Sequence, residues 1–400
     1  MKVALLGAGA MGTGIGQIAA THGHDVVYYD TFPGACERSE ASLAKVFARL
    51  VEKGTWSQEQ REAVQGRLRW TSDLADLAGA ELVIEAVVEN LEVKQALFKS
   101  VEPVVAPDAL LCSNTSSLSI AAISSVLNDP SRFGGLHFFN PAPLMPLVEI
   151  VPGVQTRSHW TQRLEDLMHQ WNKVPVLAKD TPGFIVNKVA RPYYAEAIKI
   201  YEEGGATVAQ IDAVLKEAGF KMGPFELTDL IGHDVNFTVT ETVWSQFYFD
   251  PRFRPSITQK RLKEAGMFGR KTGRGFYHYS EGAPTPAELQ TQERAQLSDE
   301  RAAYILERIL CMLANEALDA VWQQIASAAN VDLAMRKGTN YPKGPLAWGA
   351  ELGWSRVLNH LEQCHKFYGD DRYRPCPLLR KIAAMDPAPS LDALPTGFLF

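Results

Sequence analysis

The sequence predicts an α/β fold in which a doubly wound sheet is followed by a mostly helical domain present in two tandem copies. Three observations support this prediction: a glycine loop between two strand-like runs near the start, an alternation of strands and helices to about residue 183, and a repeat of about 120 residues after it. The 400 residues suit two or three domains, and 46% hydrophobic residues are ample for their cores.

The glycine loop Gly7–Gly12 follows the apolar run Val3–Leu6 and precedes a second run, Val26–Tyr29, which ends on Asp30. Its first glycine permits a tight turn, its second lets the backbone approach a pyrophosphate, and its third lets a helix pack on the sheet. The phosphates would lie at the positive end of that helix. Asp30 could accept hydrogen bonds from a ribose diol and would repel a 2′-phosphate, so the expected cofactor is NAD in a Rossmann-type domain. The expected cofactor contacts in the loop are Gly7, Gly9, Ala10, Met11 and Gly12.

Composition excludes several other classes of protein. A net charge of −6 gives no general attraction to nucleic acid, and no apolar run reaches the 18 or so residues that cross a bilayer. Five cysteines without paired spacing indicate reduced thiols, so a cytoplasmic location is expected. Lys2 before an apolar run would also fit a signal peptide, but the glycine spacing and the lack of a small-residue cleavage site argue against it.

The first domain is expected to continue as an alternating α/β pattern after Asp30. The pattern predicts a helix over 34–53, a polar segment to Asp76, a strand over 81–86, a helix over 91–101 and a strand over 109–112. A parallel sheet with helices on both faces follows from it. From Phe184 the strand signals fade, and the periodicity predicts helices over 184–203 and 208–218.

The helical region repeats with a nearly constant offset. Residues 251–255 recur at 371–375 and residues 185–189 align with 305–309, while Gly223-Pro224 returns as Gly344-Pro345. The expected domains are therefore 1–183 for nucleotide binding, 184–281 for helical copy one, 282–298 for a polar linker and 299–400 for helical copy two. Copy two lacks a glycine loop and carries Glu307 where copy one has Asn187. We expect it to pack on copy one as a partner subunit's domain would, which gives a pseudo-dimer within one chain. A homodimer of two chains is the alternative.

Hydride transfer from an alcohol needs a base for the hydroxyl proton and donors for the developing carbonyl oxygen. Ser116, His137 and Glu149 are expected at strand ends, where doubly wound sheets bind ligands. Glu149 interrupts an apolar strand and is costly to bury without a partner, which a nearby imidazole would supply. His137 and Glu149 are thus a candidate dyad.

Each candidate also has an ordinary structural explanation. His137 could be a hydrogen-bonded core residue, and Glu149 could be a charge on an edge strand. Ser116 could cap a helix, Asn114 could serve a turn, and Asn187 could simply lie on its helix surface. Spacing alone does not bring these residues together.

Six segments occur in order along the chain, at residues 7–12, 113–118, 137–143, 180–187, 222–227 and 269–277. Together they resemble signature segments of the 3-hydroxyacyl-CoA dehydrogenase family, which includes 3-hydroxybutyryl-CoA dehydrogenases, over residues 1 to about 280. The last 120 residues resemble a second copy of the family's C-terminal domain, as in multifunctional fatty-acid oxidation enzymes. The resemblance implies an NAD-dependent oxidoreductase acting on the (S)-3-hydroxy group of an acyl-CoA, as in β-oxidation.

The resemblance implies that His137 is the base, Glu149 orients it, and Ser116 and Asn187 hold the substrate's 3-oxygen. It also implies cofactor contacts at Glu89, Lys94 and Asn114, although Glu89 and Lys94 would also suit an ordinary exposed helix start. Lys45, Arg49 and Lys53 share one helix face, and Arg49 and Lys53 resemble positions near the CoA phosphates; a plain solvated face fits nearly as well. Metal is not expected. Two alternative functions stay open: a related dehydrogenase of a free hydroxy acid or sugar acid, and a non-catalytic NADH-binding structural protein.

Overall fold

The computed structural model describes residues 1–280, 284–287 and 297–385. The chain divides into two compact units, Met1–Thr181 and Pro182–Phe400. Part of the expected linker 282–298 and the last residues of copy two therefore lie outside the described residues. So does 394–398, the faint echo of residues 271–276 in copy two.

The first unit is built on an eight-stranded sheet. Its strands are β1 Lys2–Leu6, β2 Asp25–Tyr29, β3 Leu68–Thr71, β4 Leu82–Glu85, β5 Leu110–Ser113, β6 Phe133–Phe138, β7 Leu147–Pro152 and β8 Val174–Leu177. Their order across the sheet is β3-β2-β1-β4-β5-β6-β7-β8. All neighbours run parallel except β6 and β7, which are antiparallel. The central strands are buried apolar runs, as a sheet covered on both faces requires.

Six helices belong to this unit: α1 Ala10–Thr21, α2 Ala35–Glu52, α3 Gln58–Gln65, α4 Leu91–Val101, α5 Ile120–Ser124 and α6 Ser158–Gln170. Their starts follow local chemistry. Ser57 and Gln60 form a reciprocal capping box at α3, and Asn90 accepts the Val93 N–H at the start of α4. The bounds of α2, α4, β4 and β5 agree with the sequence prediction to within one or two residues.

Two features of this unit correct the prediction. The polar segment before Asp76 contains helix α3 and strand β3. The sequence did not predict them because a polar helix and a short edge strand carry little apolar periodicity. The sheet is also not wholly parallel. Because β7 runs antiparallel to β6, Glu149 lies near the beginning of its strand and not at a C-terminal strand end.

In its described residues the second unit is mostly helical, and its strands are the short antiparallel pair β9 Tyr277–His278 and β10 Thr285–Pro286. Copy one contains α7 Val186–Val189, α8 Arg191–Glu202, α9 Val208–Glu217, α10 Pro224–Ile231, α11 His233–Gln246 and α12 Ile257–Glu264. Copy two contains α13 Asp299–Trp322, α14 Ala328–Gly338, α15 Pro345–Leu352, α16 Trp354–Tyr368 and α17 Pro377–Ala383. The two sets follow the same order.

The helix expected over 184–203 is broken into α7 and α8 at Ala190. Pro192 has no N–H to donate, and its ring crowds the preceding turn. Copy two has Met312 at the equivalent position, and α13 runs through it without interruption. One residue thus explains why the equivalent helices of the two copies differ.

The repeated Gly-Pro pair serves the same local structure in both copies. Asp212 accepts the N–H groups of Phe225 and Glu226, and Asp332 accepts those of Leu346 and Ala347. A Cβ on Gly223 would lie 2.3 Å from Asp212 Cγ, and one on Gly344 would lie 2.0 Å from Asp332 Cγ. Only glycine leaves room for the aspartate that caps each helix.

The two copies contact each other through reciprocal ion pairs. Lys188 and Arg252 of copy one pair with buried Glu316 of copy two. At the equivalent positions, Arg308 and Arg372 of copy two pair with buried Glu196 of copy one, at 2.6 Å and 3.4 Å. An interface in which the same patch meets itself is the geometry of a two-fold dimer.

Candidate active site

The glycine loop joins β1 to α1. Gly7 has a φ of +103°, and its N–H donates to the Tyr29 carbonyl at 2.9 Å. A Cβ on Gly12 would lie 1.9 Å from the Gly7 carbonyl oxygen, whereas a Cβ on Gly9 would meet nothing within 4 Å. The loop is therefore closely packed at its first and third glycines and open at the second, where a pyrophosphate needs the backbone to be accessible.

Asp30 follows β2, and its carboxylate accepts the Ala8 N–H and the Phe32 N–H, both at 2.8 Å. The Ala8 contact ties this carboxylate to the glycine loop. A carboxylate has about four acceptor sites, so Asp30 keeps acceptors for a ribose diol. The open Gly9, the first turn of α1 at Ala10 and Met11, and this acidic group together fit NAD.

A buried charged cluster lies at the ends of β4 and β5. Glu85 is fully buried and accepts hydrogen bonds from Ser113 Oγ and Lys94 Nζ, both at 2.6 Å. Lys94 also pairs with Glu89 at 3.2 Å, and Glu89 Oε1 accepts hydrogen bonds from residues 115–117. Burial would raise the pKa of Glu89, but Lys94 and these donors lower it below its usual value overall. An ionised Glu89 therefore holds the loop after β5 in place.

This cluster is unlike an exposed helix start. Lys94 is only 1% exposed and faces two carboxylates, which places it behind the loop. Ser116 lies within the loop and donates its N–H to Glu89 Oε1 at 3.0 Å, while the following helix α5 is capped by Ser119. Glu85 is not among the site residues predicted from the sequence, although a charged residue that ends a buried apolar strand is a signal for such a role.

His137 and Glu149 lie opposite each other in the antiparallel register of β6 and β7. His137 Nδ1 is 2.7 Å from Glu149 Oε2; the carboxylate is fully buried and the imidazole residue 6% exposed. Opposed residues of an antiparallel pair project from the same face of the sheet, which explains why residues twelve positions apart meet. With Nδ1–H donated to the carboxylate, the basic nitrogen of the neutral ring is Nε2.

Neighbouring groups fix the segment that carries His137. Asn114 Oδ1 accepts the Phe138 N–H at 2.7 Å, which links the loop after β5 to β6. Beyond the cis bond between Asn140 and Pro141, Lys173 Nζ donates to the Ala142 carbonyl at 2.6 Å and to the Met145 carbonyl at 2.8 Å. Burial lowers the pKa of Lys173 to about 8.

Asn187 lies in the second unit, on α7, and is partly buried. Arg191 Nη2 lies 3.5 Å from its Oδ1. The position equivalent to Asn187 in copy two is Glu307, which makes a two-point ion pair with Arg356 at 2.6 Å and 2.9 Å. The ligand atoms of Glu307, Cys311 and His360 lie within 4.8 Å of one another, and Arg356 already engages both oxygens of Glu307.

Lys45, Arg49 and Lys53 lie along α2 and just past its end, and all three side chains are exposed. Within the described parts of the chain, no carboxylate pairs with them. The face thus presents three exposed cationic side chains on a protein whose net charge is −6.

Two family models match the chain. The model described as 3-hydroxyacyl-CoA dehydrogenase, NAD binding domain, matches residues 2–181, and the model described as 3-hydroxyacyl-CoA dehydrogenase, C-terminal domain, matches 183–279 and 304–389. The chain belongs to the 3-hydroxyacyl-CoA dehydrogenase family. As a member of that family it is an oxidoreductase that acts on the CH–OH group of a 3-hydroxyacyl-CoA with NAD.

Individual members of the 3-hydroxyacyl-CoA dehydrogenase family agree with this assignment. The chain is 39% identical to the 3-hydroxyadipyl-CoA dehydrogenase of Escherichia coli K12, over 96% of this chain and 98% of that one. It is 40% identical to a probable 3-hydroxybutyryl-CoA dehydrogenase of Deinococcus radiodurans, over 70% of this chain and all of the relative. A crystal structure named as 3-hydroxybutyryl-CoA dehydrogenase from E. coli K12 superposes with a TM-score of 0.88 at 39% identity, over 96% of this chain and 98% of that one. Among the described residues, every helix is too short or too polar to span a bilayer.

Proposed function

We propose that this chain interconverts an (S)-3-hydroxyacyl-CoA and the 3-oxoacyl-CoA with His137 as the base and Glu149 as its orienting carboxylate. The observation that supports this most directly is the 2.7 Å contact between His137 Nδ1 and Glu149 Oε2. NAD, when bound, accepts the hydride that leaves C3 of the substrate. The glycine loop and Asp30 hold it, and Glu89, Lys94 and Asn114 act on the cofactor side, with Lys94 acting through Glu85 and Glu89.

In the oxidative direction His137 takes the hydroxyl proton at Nε2, because Nδ1–H is donated to Glu149. The imidazolium that results is stabilised by the buried carboxylate, which is fixed before the reaction begins. Ser116 and Asn187 hold the 3-oxygen as it becomes a carbonyl. In the reverse direction the same imidazolium returns the proton.

The CoA portion of the substrate carries phosphates, and the exposed Arg49 and Lys53 are the proposed contacts for them. Reversing both charges is expected to raise the Michaelis constant for a CoA thioester and leave kcat unchanged, since this interaction is the same in the ground and transition states. An unchanged Michaelis constant would remove the patch from the proposal. We place the enzyme in the cytoplasm, as five free cysteines suggest.

We also propose that copy two replaces the helical domain of a partner subunit. Its reciprocal ion pairs with copy one support this, and so does the Deinococcus relative, whose whole length is matched by 70% of this chain.

The test is a His137→Ala variant assayed with a 3-hydroxyacyl-CoA and NAD. We expect NADH binding to be normal and kcat to fall by roughly 10²–10⁴-fold, the contribution of a positioned base. His159→Ala, which removes an exposed histidine from α6 of the same unit, is the matched control and should keep full activity. Near-normal turnover in His137→Ala would place the base elsewhere. Turnover of a free hydroxy acid in preference to its thioester would favour the alternative dehydrogenase.

A further inference from the structure

Arg191 is a buried cation that has no anionic partner in the described parts of the chain. Only 5% of the residue is exposed, and no described carboxylate lies within 4.0 Å of its guanidinium. Its polar contacts are neutral: Nη1 donates to Thr240 Oγ1 at 2.9 Å, and Nη2 lies 3.5 Å from Asn187 Oδ1. The buried Nε has no hydrogen-bond partner among the described residues.

The groups around Arg191 do not neutralise its charge. Its guanidinium lies over the Tyr194 ring at 5.1 Å. Burial raises the pKa of Tyr341 well above its usual value, and the nearby Arg191 offsets part of that rise. The Tyr341 hydroxyl is buried and has no hydrogen-bond partner in the described chain. Burial lowers the pKa of Arg191 as well, yet a guanidinium stays protonated in proteins.

Other buried arginines of the same unit differ from Arg191 in this respect. Arg252 lies 3.0 Å from Asp319, Arg308 lies 2.6 Å from Glu196, and Arg372 lies 3.4 Å from Glu196. A buried charge without a partner costs free energy that a bound anion recovers. The equivalent residue in copy two is Cys311, so the scaffold itself does not need a cation at this position.

We propose that Arg191 binds a carboxylate at the far end of the acyl chain, so that the preferred substrate is the CoA thioester of a 3-hydroxy dicarboxylic acid. This inference rests on the proposed function, which puts the substrate's 3-oxygen at Asn187. Three carbon–carbon bonds beyond C3 advance the chain by roughly 4 Å. Because Arg191 lies directly beside Asn187, a carboxylate at that distance reaches the guanidinium. Arg191 Nε and the Tyr341 hydroxyl supply donors for it.

A CoA phosphate is a poorer fit for this position. Arg191 is buried beside a residue proposed to touch C3, whereas the phosphates lie at the other end of the thioester. A cation that only supports the fold is also a poorer fit, because one hydroxyl and one aromatic face replace little of its lost hydration.

The experiment compares two thioesters of equal chain length, 3-hydroxyadipyl-CoA and 3-hydroxyhexanoyl-CoA, which end in a carboxylate and a methyl group. For the unmodified enzyme we expect kcat/KM to favour the carboxylate by roughly 100-fold, as for a buried charge pair. Arg191→Met should bring the ratio to about one or below, chiefly through loss on 3-hydroxyadipyl-CoA. Arg191→Lys should give an intermediate ratio. Arg261→Met, which removes an exposed arginine of the same unit, should leave the ratio unchanged.

Each other result overturns the inference in a recognisable way. Equal kcat/KM values for the two thioesters in the unmodified enzyme would refute it and leave the proposed function intact. An equal loss on both thioesters in Arg191→Met would mean that Arg191 only positions Asn187. No turnover of either thioester would defeat the proposed function, and the inference with it. Should Arg191→Met fail to fold, the ratios of the unmodified enzyme and of Arg191→Lys still decide.

Discussion

Copy one and copy two use equivalent charged residues to contact each other, and they differ where copy one could touch substrate. Lys188 and Glu196 in copy one correspond to Arg308 and Glu316 in copy two, and each lysine or arginine pairs with the carboxylate of the other copy. Asn187, only one residue before Lys188, corresponds to Glu307, which forms an ion pair with Arg356. The interface residues thus keep the sign of their charge between the two copies, whereas the neighbouring proposed site residue Asn187 does not keep its chemistry.

The two copies also differ in the backbone that carries these residues. Pro192 breaks copy one at Ala190, next to Arg191, whereas copy two has Met312 and a continuous α13. A proline inside a helix destabilises it by about 3 kcal/mol, which is why the helix is broken in copy one and continuous in copy two. The break lies in the copy that carries the proposed substrate contacts and is absent from copy two.

The most drastic way to break this comparison is to remove copy two by deleting residues 290–400. Lys188 and Glu196 would lose their ion-pair partners, and Arg252 would keep only Asp250. Breaking one buried pair costs about 3–5 kcal/mol. Domains are stable by only about 5–15 kcal/mol, so we expect an unstable or newly self-associating protein. Thermal unfolding and light scattering after gel filtration would measure this. A well-folded, fully active monomer would contradict the packing role.

A matched pair of substitutions at equivalent positions would sharpen the comparison. Asn187→Ala should lower kcat by roughly 10²-fold, because a donor to the developing carbonyl oxygen is lost. Glu307→Ala breaks a partly exposed ion pair in copy two and should leave kcat within about twofold. Steady-state kinetics with one thioester would compare the two. Equal losses would mean that copy two also contributes to catalysis.

The smallest expected effect is a loss of folding stability at low pH that depends on the charge of Asp319. Burial would raise the pKa of Asp319, but Lys188 and Arg252 lower it below its usual value overall, and copy one has Lys199 at the equivalent position. A depressed folded pKa stabilises the protein above the unfolded pKa of about 3.9, and that stability is lost as pH falls through the folded value. Asp319→Asn should therefore cost about 2 kcal/mol at pH 7 and progressively less below pH 4.

Thermal midpoints of the unmodified protein and of Asp319→Asn, measured from pH 7 to pH 3, would test this. Asp371→Asn, which alters an exposed aspartate of the same copy, is the control and should show a small difference at every pH. A cost that stayed constant down to pH 3 would mean that the charge of Asp319 does not hold the copies together.

Much of the fold was predictable because strong local signals agree with the tertiary structure. The glycine loop has a distinctive spacing, and the apolar run of β1 leads directly into it. Helix α4 has an apolar period and an N-cap residue, and it was predicted as Leu91–Val101, as observed. The mixed sheet direction was not predictable, since an antiparallel β7 has the same apolar pattern as a parallel strand. The edge strand β3 and helix α3 were missed because polar, exposed elements have weak patterns.

The candidate site shows the same division. The contact of His137 with Glu149 could be inferred because a buried carboxylate in an apolar strand demands a partner. The burial of Lys94 could not, because a lysine near a helix start is usually solvated, and only the fold puts Glu85 and Glu89 around it. Arg191 gave no signal in the sequence. Its proposed role in binding a carboxylate is inferred only because no carboxylate of the described structure pairs with it.

The presence of both copies on a single polypeptide has a consequence for dilute solution. Two separate subunits dissociate as their concentration falls, whereas tethered domains meet at an effective concentration set by the connecting segment. The Lys188–Glu316 and Arg308–Glu196 pairs should therefore persist at any dilution. Activity per molecule should accordingly stay constant on dilution, whereas a two-chain arrangement would lose activity below its dissociation constant.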